Sequence, residues 1–177
     1  MAENCFSFPF IYLNFVSMNK LFLLILVFIH PCAEAQDINA LDNENSFRGH
    51  RFGDSITLYP AMIKFDQTPD SLYAFYRKTD ENFTFGGAGV DIVYTFYKGC
   101  LSNIFMQTHD SLGSRKVLKT LQDLYGKGQQ QDPYVEKHMW WGREVILSYF
   151  EDVNKFDAKI YISSIKMKLR SEGRDKY

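Results

Sequence analysis

Residues 90–107, VDIVYTFYKGCLSNIFMQ, constrain the fold more than any other stretch of this chain. Val90, Ile92, Tyr94 and Phe96 fall on alternate positions, the two-residue period of a strand with one face buried. Lys98-Gly99 breaks the run, and residues 100–107 supply a second strand-forming segment directly after the break. Two such segments around a two-residue reversal predict an antiparallel hairpin. Whatever else the chain does, it must place a partner against the apolar face of that hairpin.

The remaining pattern supplies more strands and one candidate cover. Residues 63–65 and 72–78 read as strands divided by the turn cluster Asp66-Gln67-Thr68-Pro69-Asp70. Residues 79–89, TDENFTFGGAG, read as a glycine-rich loop. In residues 47–55, Asp54 or Ser55 is placed to cap a brief helical turn, which Pro60 keeps short by restraining Tyr59. Val117, Leu118, Leu121, Leu124 and Tyr125 form a single apolar stripe at helical spacing, with Asp110 or Ser114 as its cap and Gly126 just past its end. Residues 135–141 and 144–150 predict a second hairpin about Gly142-Arg143, and residues 158–169 a long final strand. The sum is an α+β fold: an antiparallel β-sheet of about six to seven hairpin-connected strands, with one main amphipathic helix on one face. The helix falls between two groups of strands, so two β units joined by a helix are expected.

The N-terminal part follows a different logic. Met18-Asn19-Lys20 carries one positive charge and precedes the apolar run LFLLILVFI at residues 21–29; Ala33 and Ala35 then stand at −3 and −1. This is the layout of a secretory leader cut between Ala35 and Gln36, and it makes Met18 the natural start. The apolar run is shorter than the roughly 20 residues a bilayer-spanning helix needs, which disfavours a retained anchor. Acylation of Cys32 is disfavoured by the bulky or rigid His30 and Pro31 before it. The expected organisation is an extension at 1–17, a signal peptide at 18–35, a flexible polar lead-in at 36–46, one domain at 47–170 and a charged tail at 171–177. The destination is the periplasm or the exterior, and the mature form is not expected to be membrane-embedded.

With 20 Lys and Arg against 21 Asp and Glu, the net charge is −1, and nothing in this balance suits a nucleic-acid backbone. Cys100 alone remains after cleavage, so no internal disulfide can form and packing must hold the fold; a buried, inert thiol is expected there. Gly86, Gly87 and Gly89 precede a strand rather than a helix, which argues against a phosphate loop. His50, His109 and His138 show no local metal-ligand spacing, so neither a metal nor a cofactor is expected. No Gly-x-Ser-x-Gly elbow occurs. Asn82-Phe83-Thr84 matches a glycosylation acceptor. The carboxylates Asp91, Glu136, Glu144, Glu151 and Asp152 are expected on solvated strand faces.

The one constellation that stands out is His138-Met139-Trp140-Trp141-Gly142-Arg143. Neighbouring residues on a strand point to opposite faces, so one Trp enters the core and the other faces out. An outward Trp beside His138 and Arg143 has the composition of a partner-binding hot spot. His138, Trp140, Trp141 and Arg143 are therefore the candidate binding residues, with no catalytic residue assigned.

The order of "FRGHRFGDS", "VDIVYTFYKGCLSNIFMQ", "VLKTLQDLYGKG" and "WWGREVILSYF" over residues 47–169 resembles small exported proteins of unknown function from Gram-negative bacteria. The resemblance implies an envelope location and carries no activity. Taken together, the expectation is an exported, non-catalytic binding module whose partner is another envelope or secreted protein. The alternatives are a small envelope hydrolase or transferase, with a site assembled only in three dimensions around His138 and a carboxylate such as Glu136 or Glu144, and an apolar-ligand carrier with a cavity between sheet and helix.

Overall fold

The computed structural model of the chain describes residues 38–174, apart from Asn82 and Val153. The leader, the extension before it, Cys32 and the glycosylation acceptor lie outside these residues. The described part is α+β, with all strand pairings antiparallel.

The anticipated hairpin is its centre. Strands β6 (Ala88–Tyr97) and β7 (Cys100–Thr108) pair along their length, from Val90 opposite Thr108 to Tyr97 opposite Cys100. The reversal works because Lys98 and Gly99 both take positive φ, 48° and 78°, the twist a two-residue hairpin turn requires. β3 (Met62–Gln67) and β4 (Tyr73–Lys78) extend the sheet from β6. β8 (Lys137–Trp141), β9 (Val145–Asp152) and β10 (Asp157–Ser164) form a meander, and β10 docks against β7. The strand order is therefore β3-β4-β6-β7-β10-β9-β8. The two β units expected from the sequence merge into one sheet through the pairing of β7 with β10.

Helix α2 (Ser111–Tyr125) connects the units and packs on β6, β7 and β10. Asp110 caps it, its carboxylate accepting the Gly113 N–H at 2.6 Å. Gly126 ends it at φ 72°, ψ −176°, a conformation open to glycine but not to a residue with a Cβ. The stripe Val117, Leu118, Leu121 and Tyr125 is buried as expected, while Leu124 is exposed. A small two-stranded sheet, β1 (Ser46–Phe47) with β2 (His50–Arg51), and a 3₁₀ turn at Ile56–Leu58 add Phe47, Phe52, Ile56 and Tyr59 to the same core. Ser55 caps that turn through Thr57 N–H.

Four local expectations are revised. Residues 79–89 are not all loop: β5 (Thr84–Phe85) pairs with Gly89 and Ala88 around Gly86-Gly87, so β6 begins earlier than the alternation suggested. Residues 165–169 do not continue the last strand. They start helix α3 (Ile165–Ser171), because Ser164 accepts the Met167 N–H and caps a new helix. Cys100 is half-buried rather than buried.

The fourth revision concerns the lead-in. Within the segment read as flexible, residues Asn39–Glu44 form helix α1, and Ile38 and Leu41 join the core. Asp42 explains why. Its carboxylate accepts the backbone N–H groups of Arg143 (2.5 Å), Glu144 (3.1 Å) and Val145 (2.9 Å) in the β8–β9 turn. Gly142 is required there, since a Cβ would run into that carboxylate.

Candidate functional site

Strand register divides the sheet into two unlike faces. Val90, Ile92, Tyr94, Ile104, Met106, Trp140, Leu147, Tyr149, Ile160 and Ile162 point toward α2 and have essentially no exposure. The other face carries the intervening residues. Phe105 sits between Val93 and Tyr161, with its ring 5.0 Å from that of Tyr161. Tyr161 neighbours Ser148, and Ser148 neighbours Met139 on the last strand. One row over, Asn103, Ser163, Ile146 and Trp141 follow in order across β7, β10, β9 and β8. At the far edge the Arg77 guanidinium lies 4.9 Å over the Phe65 ring, beside Ile63. Ile63, Phe65, Trp141, Phe150 and Tyr161 on this face are between 39% and 57% exposed. Isolated exposed apolar residues are ordinary, whereas several on one side of a sheet set that side apart from the rest of the surface.

The four sequence candidates do not assemble as one patch. Trp140 is fully buried, and Trp141 is 49% exposed on the opposite face, as strand alternation required. His138 shares Trp140's side and is buried, so it cannot stand beside Trp141. Arg143 is exposed in the β8–β9 turn, where its N–H binds Asp42. Trp141 is thus the one candidate on the open face. Phe105, Phe150, Tyr161, Ile63 and Phe65 were not singled out from the sequence. Their signal was the same period-two alternation, with aromatics on the face opposite the core positions.

His138 instead belongs to a polar cluster at the edge of the covered face. Its Nε2 lies 3.1 Å from Glu136 Oε2, and its Nδ1 is buried without a hydrogen-bond partner. Tyr149 faces it across the β8–β9 pair and donates to Glu151 Oε2 at 3.0 Å. Arg115 Nε reaches the same carboxylate oxygen at 3.3 Å. Burial, reinforced by the Glu151 charge, holds the Tyr149 phenol far above its ordinary range, so it remains a donor. Glu136 and Glu151 thus leave the solvated role expected of them.

A second cluster lies under β1–β2. Glu81 is clamped by Arg48 Nη1 (2.9 Å) and the Tyr94 hydroxyl (2.5 Å). Burial, then the Glu81 hydrogen bond, pushes Tyr94 well above the usual phenol range. Beside it His50 is buried between Tyr59 and Tyr94, at ring distances of 5.0 and 4.8 Å. Burial draws the His50 pKa down despite opposing contributions from the Phe47 carbonyl and Glu81. Tyr59 is pushed up to about 12 by burial and its hydrogen bond to Asp54. Glu81, Arg48 and Tyr94 satisfy one another, as do Tyr59 and Asp54, while His50 Nδ1 is buried without a hydrogen-bond partner.

Among the described residues, no group of three or more His, Cys, Asp or Glu is placed to hold a metal ion. None of their helices is long and apolar enough to cross a membrane. Comparison with protein-family models, with curated proteins and with solved structures gives no match.

Proposed function

We propose that this chain is an exported, non-catalytic interaction module that meets another envelope or secreted protein with the uncovered face of its sheet. The observation that carries this reading is the exposure of Ile63, Phe65, Trp141, Phe150 and Tyr161 on one side of one sheet. Aromatic residues concentrate at the centres of protein interfaces because each buries a large area at small entropic cost. The short polar Ser148 lies among them, beside Tyr161, and gives a partner a hydrogen-bonding group. Export rests on the leader pattern at residues 18–35.

One observation favours a second reading, a small envelope hydrolase or transferase. The His138–Glu136 contact is the geometry of an oriented acid–base pair, and Tyr149 and Glu151 stand next to it. Against it, the imidazole is only 4% exposed, which leaves a substrate little approach. An apolar-ligand carrier is less well supported, because large side chains of negligible exposure occupy the space beneath α2.

The test is site-directed photocrosslinking in the native host. A benzoylphenylalanine at position 161 is expected to give a discrete protein adduct. The same residue at position 112, exposed on α2, is expected to give none. Equal adducts from both positions, or none from 161, would overturn the interface. Fractionation with intact-mass measurement tests export separately. A protein starting at Gln36 outside the inner membrane is expected, and a membrane-retained, uncut chain would count against it.

A further inference from the structure

The connection from α2 to β8, residues 126–136, is longer than most such connections, yet it is tied down along its length. Gln129 exchanges two backbone hydrogen bonds with Met139, at 2.8 and 2.9 Å. The Gly126 carbonyl accepts the Trp140 indole N–H, and Gly128 lies so close to the same ring that a Cβ would come within 2.8 Å of it. Asp132 closes a turn, its carboxylate accepting the Tyr134 N–H and its carbonyl the Val135 N–H. The Val135 carbonyl takes the Gln130 side-chain amide and the Lys137 N–H. Long connections that pack back on the body of a domain, rather than trail from it, are commonly binding loops.

Between this loop and β8 lies a hollow of about 220 Å³ whose walls are mainly apolar, with Val135 and Met139 among them. Met139 and Lys137 alternate with the buried His138 and Trp140, so they belong to the open side of the sheet. Gln129, opposite Met139 across the isolated bridge, points to that side as well. The hollow is therefore continuous with the open face, at the end of the row Phe105, Tyr161, Ser148 and Met139. Tyr134 sits next to the Val135 wall yet is 94% exposed, so the loop does not close the hollow with its own large aromatic. The lining carries one acid, Asp132, and one base, Lys137, and so offers no net charge to an ion.

We propose that this hollow takes one large, uncharged apolar side chain of the partner protein and so anchors the interface at its β8 edge. The inference rests on the reading of the open face as the partner's surface. Volume decides the occupant: the space is below the roughly 300–1,000 Å³ of a small-molecule site and suits a single bulky side chain. Methionine fits such a wall, because its unbranched thioether adapts to the shape of a guest. A side chain seated in a pocket is removed from water completely, whereas one laid on the sheet is covered only on one side. Pocketed anchors therefore carry a disproportionate share of binding free energy at interfaces. The open face supplies area, and the hollow selects partners with a bulky apolar residue at the matching position.

Met139→Trp and Gln131→Trp fill the hollow from the sheet side and from the loop side, and Met139→Leu keeps its volume. With benzoylphenylalanine at position 161, each Trp variant is expected to lower the adduct by about tenfold or more, and Met139→Leu by less than about twofold. Thermal melts check that the variants fold, and Gln131→Trp, in an exposed loop, is the one least able to disturb the sheet. An undiminished adduct in both Trp variants would overturn the anchor and leave the open face standing. A loss confined to Met139→Trp would overturn it too, as a disturbance of β8 alone. Absence of the adduct in the unaltered chain would take down the open-face reading, and the anchor with it. A second measurement reads the hollow directly, on the purified chain with carbon-13 methionine methyls. Indole is expected to shift the Met139 methyl saturably and to leave those of the buried Met62, Met106 and Met167 in place. No shift at Met139, or equal shifts at all four, would overturn the site.

Discussion

The two faces of the sheet are built from the same strands and obey opposite rules. Toward α2, residues such as Trp140, Leu147 and Ile160 have no exposure and no freedom to change size. Away from it, Trp141, Phe150 and Tyr161 occupy the neighbouring positions on those strands and stay in water. Residue type does not separate the faces, since Trp and Tyr occur on both. What separates them is whether another element lies above. The covered face therefore carries the stability, and the open face is available for recognition.

Substitutions can break or sharpen that contrast. The largest effect is expected at Trp140, whose Nε1 donates to the Gly126 carbonyl at 2.8 Å from full burial. Trp140→Ala should cost about 3–5 kcal/mol in urea denaturation, the usual cost of emptying an aromatic core site. A loss as small as that of a surface change would mean the core is not packed around it. Next comes Asp42→Ala, which leaves three turn amides without their acceptor and should cost about 1–3 kcal/mol. If stability is unchanged, helix α1 is not anchored by this carboxylate.

A smaller, pH-dependent effect belongs to His50. Burial lowers its pKa in the folded state below the ordinary 6.5, so between those two values the unfolded chain binds more protons. His50's contribution is thus intact above pH 6.5 and is lost as the pH falls from there through the folded-state pKa. His50→Gln should flatten the dependence of stability on pH below that point, measured as melts from pH 7 to pH 5. Identical slopes in both proteins would remove His50 from the account. The smallest stability effect is expected on the open face, where Tyr161→Ser should change unfolding free energy by less than about 1 kcal/mol. It should nevertheless abolish the photocrosslinked adduct from a probe at position 105. A large destabilisation would mean that face is structural after all.

How much of this was legible depended on what each residue contacts. The β6–β7 hairpin and α2 were readable because alternation, turn residues and caps agreed within one local window. Helix α3 was hidden because Ile165, Met167 and Leu169 alternate like a strand; Ser164 as a cap and the basic Lys168 and Arg170 were the contrary signs. Helix α1 is only six residues long, and its anchor, Asp42, binds amides about a hundred positions away. No local pattern records such a bond. His138 was partly legible: Glu136 stands two positions away and could be paired with it from the sequence, but its burial next to Tyr149 and Glu151 came only with the β8–β9 pairing.

The position of β10 has a consequence for the order of events in folding. It is the last strand in the chain, yet it lies between β7 and β9, pairing Lys159 with Gln107 on one side and Phe150 on the other. Until it arrives, the first four large strands and the β8–β9 hairpin are separate pieces, each with an unpaired edge. A chain emerging N-terminus first therefore cannot close its sheet until residue 164 is free. Closure of that long sequence gap makes folding slow relative to a meander of the same size. Such a chain stays open for most of its synthesis, in a state that a holding factor or a translocation channel can still engage.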